Sequence, residues 1–526
     1  MKSWRLVMFR NLGSGFWLVA IISIIIVFSN LGGIPLLDPD EPVYAETPKE
    51  MYIFNEFVSP RIFGEYWYDK PPMYYWLVAA SYKIFGMNEF AARFPSAILA
   101  VICTLVVYLS GRRLFNERAG IAGALVLTTS IEFFYLGKAA VTDMTLLLFL
   151  TISLLSFIEK KYYWAYIFAG LATLVKGPIG LLFPGAIVFT YILITRNWSQ
   201  LTKMKIASGL LVYAIVALPW YVIMYSLHGS AFIDTFLGFH NVTRFTSPEH
   251  PEGVLWYYYV PVLILGFFPW TAIMLQSMWA SLTKSKLDFP VLLFFNIWAM
   301  VIFVFFTISQ TKLVSYILPM YPPLAMIVGW YIDRLWTASH KESSKIWAIL
   351  LGILSTVFTV GMLMGLKTMP VLQNGVYMSS AIFIIMAMAV AYFLWNKAII
   401  QAFWTQIIGM VLFSLVLASV LFPVVAPGFT MKNMAKEFNS QYDGTSPVYI
   451  IKFLHPGFTF YTDVYGSELK TNSELKTDPE LIKAIQDSKR AYFVIRQSDY
   501  KRLTDAERQV LTILANLDDK VMLLKE

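Results

Sequence analysis

Apolar runs of about twenty residues, the length a helix needs to cross a bilayer core, recur between residues 15 and 424, separated by polar stretches. About thirteen such runs are readable by hydropathy. They fall near 15–35, 94–112, 119–137, 142–158, 162–176, 178–195, 207–226, 256–279, 288–308, 313–334, 346–366, 378–396 and 401–424. Two polar intervals are long, 38–92 and 227–255, and long loops are where binding and chemistry tend to be carried. Within the first, 43–57 reads as a helix that Pro48 should kink or break in two. The stretch 73–85 reads as a short apolar helix at the membrane interface. From about residue 430 the pattern becomes charged and turn-rich: 431–441, 479–486 and 505–514 read as helices, the last with Thr504 as N-cap, and 448–453, 459–462 and 491–495 as strands. The expectation is an all-α polytopic membrane domain, 1–429, followed by a small soluble α/β domain, 430–526.

Composition agrees. Of 526 residues, 58% are hydrophobic and 14% charged, against about 45–50% and about 25% in soluble chains, which excludes a string of soluble domains. The net charge of +8 comes largely from cations in alternate loops, among them Arg112, Arg113 and Arg118; Lys160 and Lys161; Arg196, Lys203 and Lys205; and Lys397. The positive-inside rule makes these loops cytoplasmic, and an odd number of spans then puts the C-terminal domain outside. No basic stripe interleaved with aromatics marks a soluble face, so nucleic acid is not an expected partner. Cys103, the only cysteine, lies in an apolar run, which leaves no intrachain disulfide and no cysteine metal site.

The first long loop opens with three carboxylates, Asp38, Asp40 and Glu41. Two readings compete. Asp40 caps the following helix and Glu41 favours its first turn, or these carboxylates do chemistry just outside the first span. Farther on, Lys70 in Tyr66-Trp67-Tyr68-Asp69-Lys70-Pro71-Pro72 is held extended by the proline after it. Its ammonium suits a lipid headgroup or a lipid-phosphate substrate equally. Lys138, Lys176 and Lys312 stand at the outer ends of spans, and Arg244 in the second long loop. They run against the positive-inside bias and fit an anionic ligand at the outer surface, with headgroup binding as the plainer alternative. Asp143 opens the fourth span and is a functional candidate by its depth, the alternative being a local pair with Lys138; Glu132 is a weaker candidate. His240 and His250 are ten residues apart in a Pro-rich loop, which is no metal signature, so no metal or cofactor is expected.

These residues lie in segments that resemble a known family. Pro39-Asp40-Glu41-Pro42-Val43-Tyr44-Ala45-Glu46 is similar to the first-loop motif of bacterial GT-C glycosyltransferases, the group of the lipid A 4-amino-4-deoxy-L-arabinose transferases and the protein O-mannosyltransferases. Asp69-Lys70-Pro71-Pro72 with Tyr75-Trp76, Leu174-Val175-Lys176-Gly177-Pro178, the run 239–245 followed by Trp256-Tyr257-Tyr258, and 311–319 resemble four further motifs of that family, in family order across about residues 35–335. Pro48 and Asn241 depart from the pattern, and the tail resembles nothing assignable. The resemblance implies a GT-C fold, a polyprenyl-phosphate-sugar donor and an active site facing outward from a bacterial plasma membrane. It implies inverting transfer to a lipid, glycan or protein acceptor. It also implies Asp40, Glu41 and Asp143 at the catalytic centre. Lys70, Arg244, Lys312 and Lys176 would hold the donor phosphate, and Tyr44, Tyr68, His240 and Tyr316 would line the substrate site. A lipid or solute transporter and a non-catalytic scaffold are the rival classes. The first leaves the two long outer loops without a reason, and the internal repeats common in transporters are not seen in this sequence; the second has no need of outward cations.

Overall fold

Every apolar run expected to span folds as helix in the computed structural model, which describes residues 13–247, 255–283, 289–337, 344–469 and 479–526. Among the described residues, six helices are long and apolar enough to cross a membrane, and up to eight spans result if each of two bent pairs counts as one. Three more apolar helices, Ser14–Phe28, Asp143–Ile158 and Ile179–Thr195, are shorter.

The bent pairs have local causes. Glu117–Thr128 and Ile131–Lys138 meet at 65°, where the hydroxyls of Thr129 and Ser130 return hydrogen bonds to the carbonyls of Leu125 and Val126, at 2.6 and 2.8 Å. Such back-bonding competes with the helix's own amides. Tyr259–Gly266 and Thr271–Thr283 meet at 105° around Pro269, which has no amide hydrogen to continue the ladder.

Two compact units emerge. One comprises the chain up to Leu31, Tyr68–Tyr74 and Pro95–Leu421; the other comprises Gly32–Trp67, Tyr75–Phe94 and Phe422–Glu526. In the first unit, Glu117–Thr128 packs closely on Tyr321–Thr337: a Cβ on Gly329 would stand 2.4 Å from the Gly123 nitrogen, so only a glycine lets the backbones approach this far. At one end of that pair, Asp333 accepts from Asn116 at 2.7 Å and pairs with Arg118 at 3.0 Å.

In the second unit the first loop and the tail fold together. The loop helix is Asp40–Ile53, unbroken, with Pro48 inside it; the expected break is absent because the face around Pro48, from Ala45 to Met51, is buried and held by tertiary packing. Strands β1 (Arg61–Ile62) and β2 (Glu65–Tyr66) form a hairpin whose turn residues Phe63 and Gly64 both have positive φ, as tight hairpins require. The short apolar helix expected over 73–85 is present as Met73–Phe85. The tail builds β3 (Val448–Ile451), β4 (Ser467–Leu469), β5 (Ala491–Arg496), β6 (Leu511–Leu517) and β7 (Lys520–Lys525) into one sheet of order β4-β3-β5-β7-β6. Strands β4, β3 and β5 are parallel and β7 and β6 antiparallel, over a core that includes Phe438, Ile450, Phe458 and Phe493.

Two tail expectations are corrected. The stretch 459–462 belongs to a helix, His455–Thr462, started by Pro456 in its first turn, where proline's fixed φ suits a helix. The helix expected over 505–514 stops at Gln509, with the Thr504–Glu507 capping box at its start, and residues from Leu511 pair with β7 instead.

Candidate active site

A cavity of about 110 Å³ lies within the first unit and is lined by Asp69, Lys70, Asp143, Lys176, His240 and Tyr316, with a cluster of phenylalanines. Each polar side chain comes from an element end or an irregular turn. Asp143 is the first residue of Asp143–Ile158, and Lys176 is the last of Tyr162–Lys176, which Gly177 terminates with φ 77°. A carboxylate at a helix N-terminus and an ammonium at a C-terminus both sit favourably on the helix dipole. The two pair at 2.9 Å, so Asp143 takes Lys176 as its partner. Lys176 also stands 5.0 Å from the centroid of the Tyr316 ring.

Asp69 is the second hub. Its Oδ1 receives the Lys70 ammonium at 2.7 Å, and Nδ1 of His240 lies 2.7 Å from the same oxygen, at ion-pair distance but off the hydrogen-bond line. His240 is carried by a π-helical turn, Asp234–Thr243, and Tyr316 by a 3-10 turn, Val314–Met320. The wall thus holds two ammonium–carboxylate pairs and a histidine beside Phe236, Phe245, Phe305 and Phe306. An amphiphile with a charged head suits such a lining.

Other expected residues stand elsewhere. Lys312 is buried, donates to the Ser309 carbonyl at 2.7 Å, and does not line the cavity. Lys138 is turned to the Val27 and Ser29 carbonyls at the end of the first helix, where a cation is favoured. Glu132 accepts from the Tyr321 hydroxyl. Tyr68 packs on His228 and Phe232, at 5.3 and 5.8 Å between ring centroids. Arg244 begins the short helix Arg244–Thr246; its side chain, and His250, lie outside the described residues.

In the second unit, Asp40 is exposed and is the first residue of its helix; the N-cap is Pro39, with no side-chain cap bond. The N-cap position expected for Asp40 is thus taken by Pro39. Glu41 has a different task from the one expected. It is buried, and Arg93 grips both its oxygens, Nε to Oε1 at 2.8 Å and Nη2 to Oε2 at 2.6 Å. Oε2 also accepts from the Leu37 amide at 2.8 Å. Arg93 further donates to the carbonyls of Ile34 and Pro35, each at 2.7 Å. Glu41 thus fixes the loop ahead of Asp40. Tyr44 stacks on Tyr75, 6.1 Å between centroids. Glu46 pairs with Lys49 at 3.2 Å, and burial pushes its carboxyl up to about 7 against the pull of that lysine.

Asp69 and Arg93 are the residues the sequence reading missed. Asp69 lay inside a quoted motif but was passed over for its neighbour Lys70. Arg93 is an arginine just before an apolar run, at the end of it opposite the basic loop of Arg112, Arg113 and Arg118.

Residues 69–223 match the family model of the dolichyl-phosphate-mannose-protein mannosyltransferases. An uncharacterized protein of Aquifex aeolicus is 32% identical over 347 residues, 64% of this chain and 68% of that protein. An undecaprenyl phosphate-alpha-4-amino-4-deoxy-L-arabinose arabinosyl transferase of Edwardsiella ictaluri is 28% identical over 351 residues, 63% of this chain and 62% of its own length. The match thus spans a little under two thirds of that transferase. Among solved structures, ArnT from Cupriavidus metallidurans bound to undecaprenyl phosphate superposes with a TM-score of 0.79 at 22% identity, covering 97% of this chain and 98% of its own. The archaeal oligosaccharyltransferase AglB from Archaeoglobus fulgidus is more distant, with a TM-score of 0.52 at 13% identity, covering 91% and 69%. These two carry the fold alone.

Proposed function

Because the chain belongs to the GT-C family of membrane glycosyltransferases, we propose that it transfers a sugar, with inversion, from a polyprenyl-phosphate donor to an acceptor outside a bacterial plasma membrane. The acceptor class is lipid A, an envelope glycan or a protein. The observation that carries this reading is the cavity: two ammonium groups, Lys70 and Lys176, held by Asp69 and Asp143 beside a wall of phenylalanines. A lipid phosphate has the matching chemistry, an anionic head on an apolar chain.

In the proposed reaction the acceptor's nucleophilic oxygen attacks the anomeric carbon. The bond from that carbon to the phosphate oxygen breaks, and its electron pair leaves with the lipid phosphate. Lys70 and Lys176 stabilise the charge gathering there, with Arg244 as a further cation of the phosphate site; Lys312, turned to the Ser309 carbonyl, takes no part in it. Such fixed electrostatic stabilisation is usually the largest single contribution in these sites. His240 and Tyr316 shape the sugar's surroundings, and Asp143 keeps Lys176 in place. Where the acceptor is a hydroxyl, Asp40 takes its proton; where it is already an anionic phosphate, Asp40 orients it.

Charge-assisted hydrogen bonds are worth about 1.5–3 kcal/mol, and each 1.4 kcal/mol is tenfold in affinity. Lys70→Met and Lys176→Met should each weaken binding of polyprenyl phosphate about 10- to 100-fold, measured by titration of the purified protein. Asp143→Asn combined with Lys176→Met, which leaves no carboxylate unpaired, should bind as weakly as Lys176→Met. Wild-type affinity in all three variants contradicts the phosphate site.

About thirteen spans, with a cytoplasmic N-terminus and an outer C-terminal domain, are proposed from the loop charges. A phosphatase reporter that works only outside the cytoplasm should be active when fused after Glu526; activity only for a cytoplasmic reporter reverses the orientation.

A further inference from the structure

The tail has no catalytic motif, yet it folds in one unit with the loop that carries Asp40. The backbone of that loop, from Ile34 to Asp38, is engaged at nearly every position. Arg93 and Glu41 hold one side, through the Ile34 and Pro35 carbonyls and the Leu37 amide. The tail holds the other. The Leu36 amide donates to the Tyr461 hydroxyl at 2.8 Å, and the Asp38 amide donates to the Phe429 carbonyl at 2.8 Å.

The Asp38 side chain makes the third contact. Its carboxyl lies against the first turn of His455–Thr462, so closely that a Cβ on Gly457 would stand 2.0 Å from Oδ1. That helix has no side-chain N-cap of its own, and its amide end favours a carboxyl oxygen. Both carboxyl oxygens are buried without an aligned hydrogen bond. Burial pushes the group well above the usual carboxylate range, although the nearby Lys520 ammonium and Met431 amide pull it down. Burying an acid without an aligned hydrogen bond is costly, so the tight fit at Gly457 must be held by the surrounding packing. Only Pro39 separates it from Asp40, and proline fixes its own φ, so what holds Asp38 also aims Asp40.

We propose that the C-terminal domain is a working part of the transfer site, in which Tyr461, Gly457 and Phe429 are positioning residues that hold the 36–38 backbone and so orient Asp40. This rests on the glycosyltransferase reading and on Asp40 as its carboxylate. Holding one residue's backbone in a single conformation costs about 1–2 kcal/mol. Folding the tail onto the loop meets that cost before substrate arrives, which is how orientation raises a rate. The role differs from acceptor recognition, the other task open to an appended domain, and the two separate in kinetics.

Tyr461→Phe removes one oxygen and keeps the ring. It should lower kcat about tenfold, since small misplacements of catalytic groups cost 10²-fold or less, while KM for donor and acceptor stays within about twofold. Gly457→Ala drives a methyl into the Asp38 carboxyl and should lower kcat about 100-fold, a full misplacement by the same measure. Adding Asp38→Ala to Gly457→Ala removes the collision and should return at least about tenfold of that loss, because contact pairs are non-additive. Melting temperatures of the purified variants separate misfolding from misplacement, and if Gly457→Ala fails to fold, Tyr461→Phe decides alone. An unchanged kcat in Tyr461→Phe, or a raised acceptor KM with kcat intact, overturns the proposal. A double variant no more active than Gly457→Ala also overturns it. A wild-type protein that releases no sugar at all sinks the glycosyltransferase reading instead, so the two failures are distinct.

Discussion

Asp40→Asn lowers turnover by about 10²–10⁴-fold, the range for loss of a positioned proton acceptor, and barely changes stability. The geometry separates the two effects. Asp40 is exposed and is the first residue inside its helix, after Pro39 at the N-cap. Its charge near the helix start is worth only about 0.3–1 kcal/mol, and asparagine keeps the shape. A capping role would give the opposite result, a small stability change with turnover intact. The measurement is sugar release at matched melting temperature. Turnover within a few-fold of wild type removes Asp40 from the centre of the reaction.

The other large effect falls on stability. Arg93→Met is expected to cost about 3–5 kcal/mol, as does breaking other buried ion pairs by removing one partner. Arg93 is 2% exposed and Glu41 5% exposed, so Glu41 would be left as a buried carboxylate without its guanidinium partner. Replacing the pair together, Glu41→Met with Arg93→Met, should recover most of the stability, because apolar replacements of buried pairs are often close to neutral. Turnover should stay low in that double variant, since the Ile34 and Pro35 carbonyls lose the guanidinium that orders the loop. Unfolding of the purified variants in detergent, read as a double-mutant cycle, checks the first part. A stable Arg93→Met protein would mean that the pair does not hold the loop.

Local signals were readable in the sequence and long-range ones were not. Apolar length alone located the helices, because a membrane leaves few other ways to satisfy the backbone. The bends at Thr129–Ser130 and at Pro269 escaped because hydropathy averages over such points. In the tail, 459–462 misled through its β-branched and aromatic residues, and Pro456 at the helix start outweighed them. Beyond Gln509 the pairing with β7 outweighed local helix preference, as tertiary context often does. At the site, the motifs named Lys70, Lys176, His240 and Tyr316, membrane depth named Asp143, and the structure gathers all five around one cavity. What the motifs did not give was who pairs with whom. Lys176 reaches Asp143 across 33 positions and Arg93 reaches Glu41 across 52, and no local spacing encodes such partners. Lys138 looked like Lys176 in sequence, but the carbonyls at the end of the first helix had already claimed it.

The most direct measurement follows a labelled sugar. Purified protein in lipid nanodiscs is given a radiolabelled sugar on polyprenyl phosphate, with an envelope extract as the source of acceptor. The account predicts that label leaves the carrier, that free polyprenyl phosphate appears in equal amount, and that Asp40→Asn and Lys176→Met both slow the loss. Label that stays on the carrier, with folded wild-type protein present and donor bound, would contradict it.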